Sequence, residues 1–326
     1  MRLAPLALSA TLVAITAFGS QQQVDPTAEG GLLLVTNKSG NTVSLIDPAT
    51  GREVNRLGTG PSPHEVAVTP DGRLAFVANY GSNSLTVVDV PQQMVVGSVD
   101  LGEHSRPHGL VISKDGASVW VTAEGSKHLV EVDVGSLTVK RAVRTGQEVT
   151  HMVALAEERG KAYTANIGSG NVTAIDIESG EVIRHIGTGA GAEGIAVTTD
   201  QEYLLVTNRA AGTFTVVEVA TDEIVHSMEV GGFPIRVEVT PDGRRALVSQ
   251  ARARAVIEIE LDGWKVARTL QIGSFPVGIE IRPDGKVAYV ANTGDNMLTV
   301  IDLDSFDVIT TIAAGEEPDG MAWVSS

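Results

Sequence analysis

Seven positions recur along the chain at spacings of 44, 43, 42, 42, 42 and 42 residues: His64, His108, His151, Glu193, Ile235, Val277 and Asp319. Five of them carry groups that bind cations or move protons, and three of the seven histidines in the chain fall on this one register. Three imidazoles in one layer would present three ring nitrogens to a metal and leave an open position for water or substrate. Carboxylates such as Glu193 and Asp319 would stand beside them as a fourth ligand or as hydrogen-bonding supports. Imidazole suits copper, zinc, iron or nickel, and nothing in the sequence selects among them. The plainer account is that the histidines are independent loop residues, two of them following Pro63 and Pro107.

A second set of charges lies elsewhere in the same repeating frame. Arg236 stands at a position commonly held by glycine, and Glu238 and Glu280 stand where other units have Ala67, Ala154 and Ala196. Charge inside a strand is costly unless paired, so the expectation is a bridge from Arg236 to Glu238 or Glu280. A catalytic base is the alternative role for the carboxylates. Near the same end of each unit lie Lys38, Tyr80, Glu124, His128, Arg209, Arg252 and Arg254. With Arg236, the arginines Arg209 and Arg252 are candidates to receive a carboxylate or phosphate. The run 251–255, ARARA, reads equally well as an exposed loop.

What positions these residues is a repeat. The phrases VTN at 35–37, VAN at 77–79, VTA at 121–123, TAN at 164–166, VTN at 206–208, VSQ at 248–250 and VAN at 290–292 mark seven units. Unit two shows the common order: HEVAV, a PDG turn at 70–72, LAFVAN, a YGSN loop, SLTVVDV, then MVVGSVDLG. Period-two alternation of β-branched residues, broken by Gly, Asn, Asp and Pro, predicts four short strands per unit. The third strand ends in a repeated acid at Asp47, Asp89, Asp133, Asp176, Glu218, Glu260 and Asp302, expected to accept backbone N–H bonds in the next turn. No window sustains a helical apolar period.

Four-stranded units repeated radially are blades, so the fold class is all-β, a seven-bladed β-propeller. The first unit begins at Gly31 without a first strand, and the chain ends in a lone strand, DGMAWV at 319–324. The C-terminal strand is thus expected to complete the N-terminal blade. Equivalent positions on seven blades form a ring, which places the register of His64 at the mouth of the central channel.

The VAN phrases, the PDG turns, the NTVSLID strand at 41–47 and glycines near blade ends such as Gly273 resemble those of the YVTN family of β-propeller repeat proteins, over essentially the whole chain beyond its first residues. That family is similar to surface-layer-type, lactonase-like and cytochrome d1-like propellers. The resemblance implies the fold firmly and a function only loosely, since propellers host unrelated activities.

Composition limits the rest. Residues 1–19 have a secretory signal's pattern, with Arg2, an apolar stretch from Leu6 to Phe18, and small Ala17 and Gly19 before the cut. Residues 20–30 read as a linker and 31–326 as one propeller, secreted or periplasmic, with no membrane span after cleavage. The chain has no cysteine, which excludes a disulfide, Cys-ligated zinc and covalent haem. No nucleotide-binding loop or G-x-S-x-G elbow is present. A formal charge of −16 opposes nucleic-acid binding. The expected function is therefore an extracytoplasmic, monomeric propeller holding a transition metal (copper, zinc or iron) or a small molecule at the channel mouth. The alternatives are a non-catalytic scaffold for an envelope protein and, by family kinship, a lactonase-like hydrolase.

Overall fold

The computed structural model describes residues 30–325. These form twenty-eight strands in seven four-stranded antiparallel sheets, and among the described residues the one helical element is a single 3-10 turn at Glu157–Arg159. The expected signal at 1–19 and nearly all of the linker at 20–30 lie outside the described residues.

In blade two, strands β4 (Pro63–Val68), β5 (Leu74–Asn79), β6 (Ser84–Asp89) and β7 (Met94–Asp100) pair in sequence order. The inner strands of successive blades pack around the axis, and the fourth strands face outward with exposed side chains. Between them the middle strands bury unbroken runs of Val, Leu, Ile and Ala, forming cores shared by neighbouring blades. Each such core removes both faces of a sheet from water, which is why these strands read as nearly continuous apolar runs.

Closure follows the expected route. Strand β28 (Pro318–Ser325) pairs antiparallel with β1 (Gly31–Asn37), giving the sheet order β28, β1, β2 (Thr42–Asp47), β3 (Arg52–Gly58). The repeated acids also do their expected work in five blades. Asp47, Asp89, Asp133, Asp176 and Asp302 each accept a backbone N–H from the following turn. The two glutamates differ: Glu218 accepts the Thr221 hydroxyl and Glu260 pairs with Lys265. One extra methylene moves the carboxylate past the turn's N–H groups.

Two devices in every blade build the mouth of the channel. The residue before each inner strand has a left-handed backbone: Ser62, Arg106, Val149, Gly191, Phe233, Phe275 and Glu317, with φ between 52° and 77°. Its carbonyl accepts the N–H of the residue just after the VAN phrase, as in Tyr80 to Ser62, Glu124 to Arg106, Arg209 to Gly191 and Lys38 to Glu317. The inner strand then carries a β-bulge, so that His64 and Glu65 together oppose a single residue of β5. The bulge lets consecutive side chains both reach the axis, and the loop contact hangs a second ring of side chains over the first.

Candidate functional site

The first ring is the register of His64, and neighbouring blades fix its backbone. The Thr36 hydroxyl donates to the His64 carbonyl and the Thr122 hydroxyl to that of His151. Glycine is required between them: a Cβ at Gly278 would strike the Asp319 carbonyl, and one at Gly320 the His64 carbonyl.

His64, His108 and Asp319 come together, one ligand atom from each lying within 4.8 Å of the others. They belong to β4, to β8 (Pro107–Ile112) and to β28, on three consecutive blades. His64 Nδ1 is 3.1 Å from Asp319 Oδ2, and Lys38 Nζ approaches the same oxygen at 3.6 Å. The His64 and His108 rings are 4.5 Å apart. Tyr80 closes the side, its ring 4.7 Å from His64 and edge-on to His108 at 5.7 Å.

His151, on β12 (Thr150–Ala156), stands beside this group and has other partners. Its ring lies 3.6 Å from that of His108, but Nδ1 meets Glu124 Oε1 at 2.5 Å and Nε2 faces Glu193 Oε1 at 3.4 Å. Glu193, on β16 (Ala192–Val197), also holds Arg209 at 3.0 Å. The five-residue arc read from the sequence therefore divides into a triad of His64, His108 and Asp319 and a neighbouring ion-paired group of His151, Glu193, Glu124 and Arg209. Ile235 and Val277 complete the circle within an apolar cluster, as their types require.

Protonation follows from these neighbours. Burial pushes Asp319 up, but Lys38, His64 and Arg236 outweigh it and hold the carboxyl well below the usual carboxylate range. Burial, with His151 and His64 adding to it, holds His108 well below an ordinary imidazole. Burial opposes charge on His151 too, yet Glu124 and Glu193 overcome it and raise its pKa to about 9. At neutral pH Asp319 is thus anionic and His108 neutral, the forms that bind metals, while His151 is a cation.

Below the ring, the second register corrects the expected bridge. Arg236, on β20 (Pro234–Val239) of blade six, pairs with Glu65 of blade two and not with Glu238 or Glu280. Blades two and six lie across the ring, so this ion pair spans the channel, with Met152 Sδ 3.4 Å from Arg236 Nη1. The reason is length and direction: Arg236 points across the axis, whereas Glu238 lies farther along the same strand. Glu65 and Met152 are the residues that sequence reasoning missed. They share Arg236's register with Gly109, Gly194, Gly278 and Gly320, and three large side chains among four glycines were the available signal.

Glu238 and Glu280, on β20 and β24 (Pro276–Ile281), lie farther along these inner strands and are partly buried. Burial raises Glu238 to about 7 against the pull of Arg236. Burial and the Glu238 charge raise Glu280 to about 8, although Glu280 Oε1 accepts the Trp323 N–H at 2.9 Å. A carboxyl whose folded pKa exceeds its unfolded value binds an extra proton when folded, so stability falls as pH rises from about 4.5 towards 8. Replacing both glutamates by glutamine should therefore raise the melting temperature at pH 8.5 and leave it nearly unchanged at pH 4.5. The gain expected at the higher pH is on the order of 1–2 kcal/mol per site, reduced by their partial exposure. Thermal melts at the two pH values check the sign.

Arg209 and Arg252 flank the Phe233 ring, with guanidinium carbons 5.5 and 4.0 Å from its centre. They form a cationic edge over blades five and six, separate from the triad.

The sequence model of the YNCE-like β-propeller family matches residues 4–104 and 93–282. The chain belongs to the YNCE-like β-propeller family. This agrees with the resemblance carried by the repeats. No curated protein matches the chain in sequence. Among solved structures it is similar to hydrazine synthase of Kuenenia stuttgartiensis, with 21% identity and a TM-score of 0.78 over 91% of this chain and 100% of that one. It is also similar to the dihydro-heme d1 dehydrogenase NirN, at 18% identity and TM-score 0.64 over 92% of this chain and 76% of that one. A putative 6-phosphogluconolactonase of Bacteroides fragilis matches at 15% identity and TM-score 0.72, over 91% and 99% of the two chains. At these identities the likeness is one of fold, and function has to be argued from the site. No helix among the described residues is long and apolar enough to cross a membrane.

Proposed function

We propose that this protein is a secreted or periplasmic metal-binding propeller that holds a divalent transition metal at the channel mouth through His64, His108 and Asp319. The observation that carries this reading is His108 Nδ1, buried without a hydrogen-bond partner among the described residues beside a second imidazole and an anionic carboxylate. A buried unpaired nitrogen is costly, and a metal is the partner its neighbours are suited to share. Tetrahedral bonds of 2.0–2.2 Å place ligand atoms about 3.3–3.6 Å apart, so closure from separations of up to 4.8 Å needs the side chains to draw in by about 1.3 Å. Two imidazoles and one carboxylate favour zinc, copper or iron over calcium or magnesium. Three protein ligands leave a position for an outside group, and the crossbar of Arg236 and Glu65 gives the site a floor.

Titration of metal-free protein with Zn²⁺ tests the assignment. Wild type should bind one equivalent, His64→Ala and His108→Ala should each weaken binding at least tenfold, and His151→Gln should weaken it far less. Equal loss in all three variants, or no binding by wild type, would reject the triad. The extracytoplasmic address rests on the pattern at 1–19, and a mature amino terminus near Ser20 in fractionated cells is the result expected.

A further inference from the structure

A groove of about 570 Å³ opens on the same face, lined by Tyr80, Ser82, Asn83, Gly102, Ser105 and Arg106. It adjoins the metal triad directly, because Tyr80 forms one of its walls and also contacts both His64 and His108. Apart from the Tyr80 ring its lining is small or polar. Arg106 is held in place there, its guanidinium carbon 4.7 Å from the centre of the Tyr80 ring and Nη2 directed to the Tyr80 hydroxyl and to Glu124 Oε2 at 3.4 Å. Its side chain is still 55% exposed, and its Nε and Nη1 groups, like Ser105 Oγ, bond to nothing among the described residues. A fixed guanidinium with unused donors is the usual receptor for a carboxylate.

Local charge points the same way. Around the mouth, Lys38 pairs with Asp319, Arg106 with Glu124 and Arg209 with Glu193, three cations against three carboxylates. A divalent ion would add two positive charges to these balanced pairs, on a chain whose formal charge is −16. With the ion bound, such a mouth concentrates anions relative to the rest of the acidic surface.

We infer that the groove between blades two and three binds a small hydroxylated carboxylate, its carboxylate on Arg106 and its hydroxyl groups on the polar wall, next to the metal. This rests on the metal reading for the ligand's second anchor, but the groove contacts stand on their own.

Lactate and its neutral amide, lactamide, differ in charge and little in shape, so they isolate the role of Arg106. Both are titrated by calorimetry or NMR into metal-free and Zn²⁺-loaded protein, with wild type, Arg106→Gln and Arg252→Gln compared. Lactate is expected to bind at least tenfold tighter than lactamide and more tightly with Zn²⁺ present. Arg106→Gln should remove that preference while leaving Zn²⁺ affinity within about twofold, and Arg252→Gln should change neither. Equal binding of the two compounds, no binding of lactate, or loss in Arg252→Gln alone would overturn the inference. Lactate binding that depends on Arg106 in a protein that takes up no Zn²⁺ would uphold the groove and reject the metal. Zn²⁺ binding without lactate binding would do the reverse.

Discussion

Arg236→Ala is expected to destabilise the propeller by about 3–5 kcal/mol, the usual result of removing one partner of a buried ion pair. For a domain of this size that is a fall in melting temperature on the order of 10 °C. Glu65 is the cause. It is 7% exposed, burial already pushes its pKa up, and the Arg236 guanidinium is the main charge opposing that rise. Without Arg236 it must either stay charged on the axis or take a proton, so the loss should be larger at pH 8 than at pH 4. Replacing both residues by methionine should recover most of the stability, because an apolar pair of similar volume leaves no charge unpaired. Denaturant melts of the single and double variants give the answer. A double variant as unstable as Arg236→Ala would show that the crossbar's shape matters and not its charge.

Removing residues 315–326 should have the larger effect. Strand β28 supplies the inner strand of blade one, pairs along β1, and buries Met321 in one core and Ala322 and Val324 in another. Burying side chains of this kind contributes roughly 1.5–3 kcal/mol for each large one. Together with the lost ladder this approaches the 5–15 kcal/mol by which a whole domain is stable. The truncated chain is expected to lose its cooperative melt, and a folded monomer with an unchanged melting temperature would contradict closure by β28.

The fold was legible because each blade restates it. Valine-rich alternation, the Asn of VAN and the acid after each third strand carry local instructions that seven copies make hard to misread. The Asn side chains show why the phrase recurs: Asn37, Asn79, Asn166, Asn208 and Asn292 each bond hydroxyls of the adjoining third strand. The lone C-terminal strand was equally readable, since a missing first strand at one end and a spare one at the other admit one closure.

The site was legible as a register but not as a set of partners. Counting residues placed His64, His108, His151, Glu193 and Asp319 on one ring. It could not show that Glu124, arriving from a loop 27 residues before His151, would claim that imidazole. Nor could it show that Arg236 would pass Glu238 to reach Glu65, 171 positions away in sequence. Glu124 reaches the neighbouring blade and Arg236 reaches across the axis, so both pairings join different blades and are absent from any single repeat. Arg209 and Arg252, grouped in sequence as one cationic cluster, meet at Phe233, and only Arg209 extends to the ring through Glu193.

The most direct test of the metal site is elemental analysis of the mature protein purified without chelators or an affinity metal, alongside the His64→Ala, His108→Ala double variant. The account predicts close to one equivalent of zinc, copper or iron in wild type and essentially none in the folded double variant. Wild-type protein that arrives without metal and then fails to take up Zn²⁺, Cu²⁺ or Fe²⁺ would contradict it.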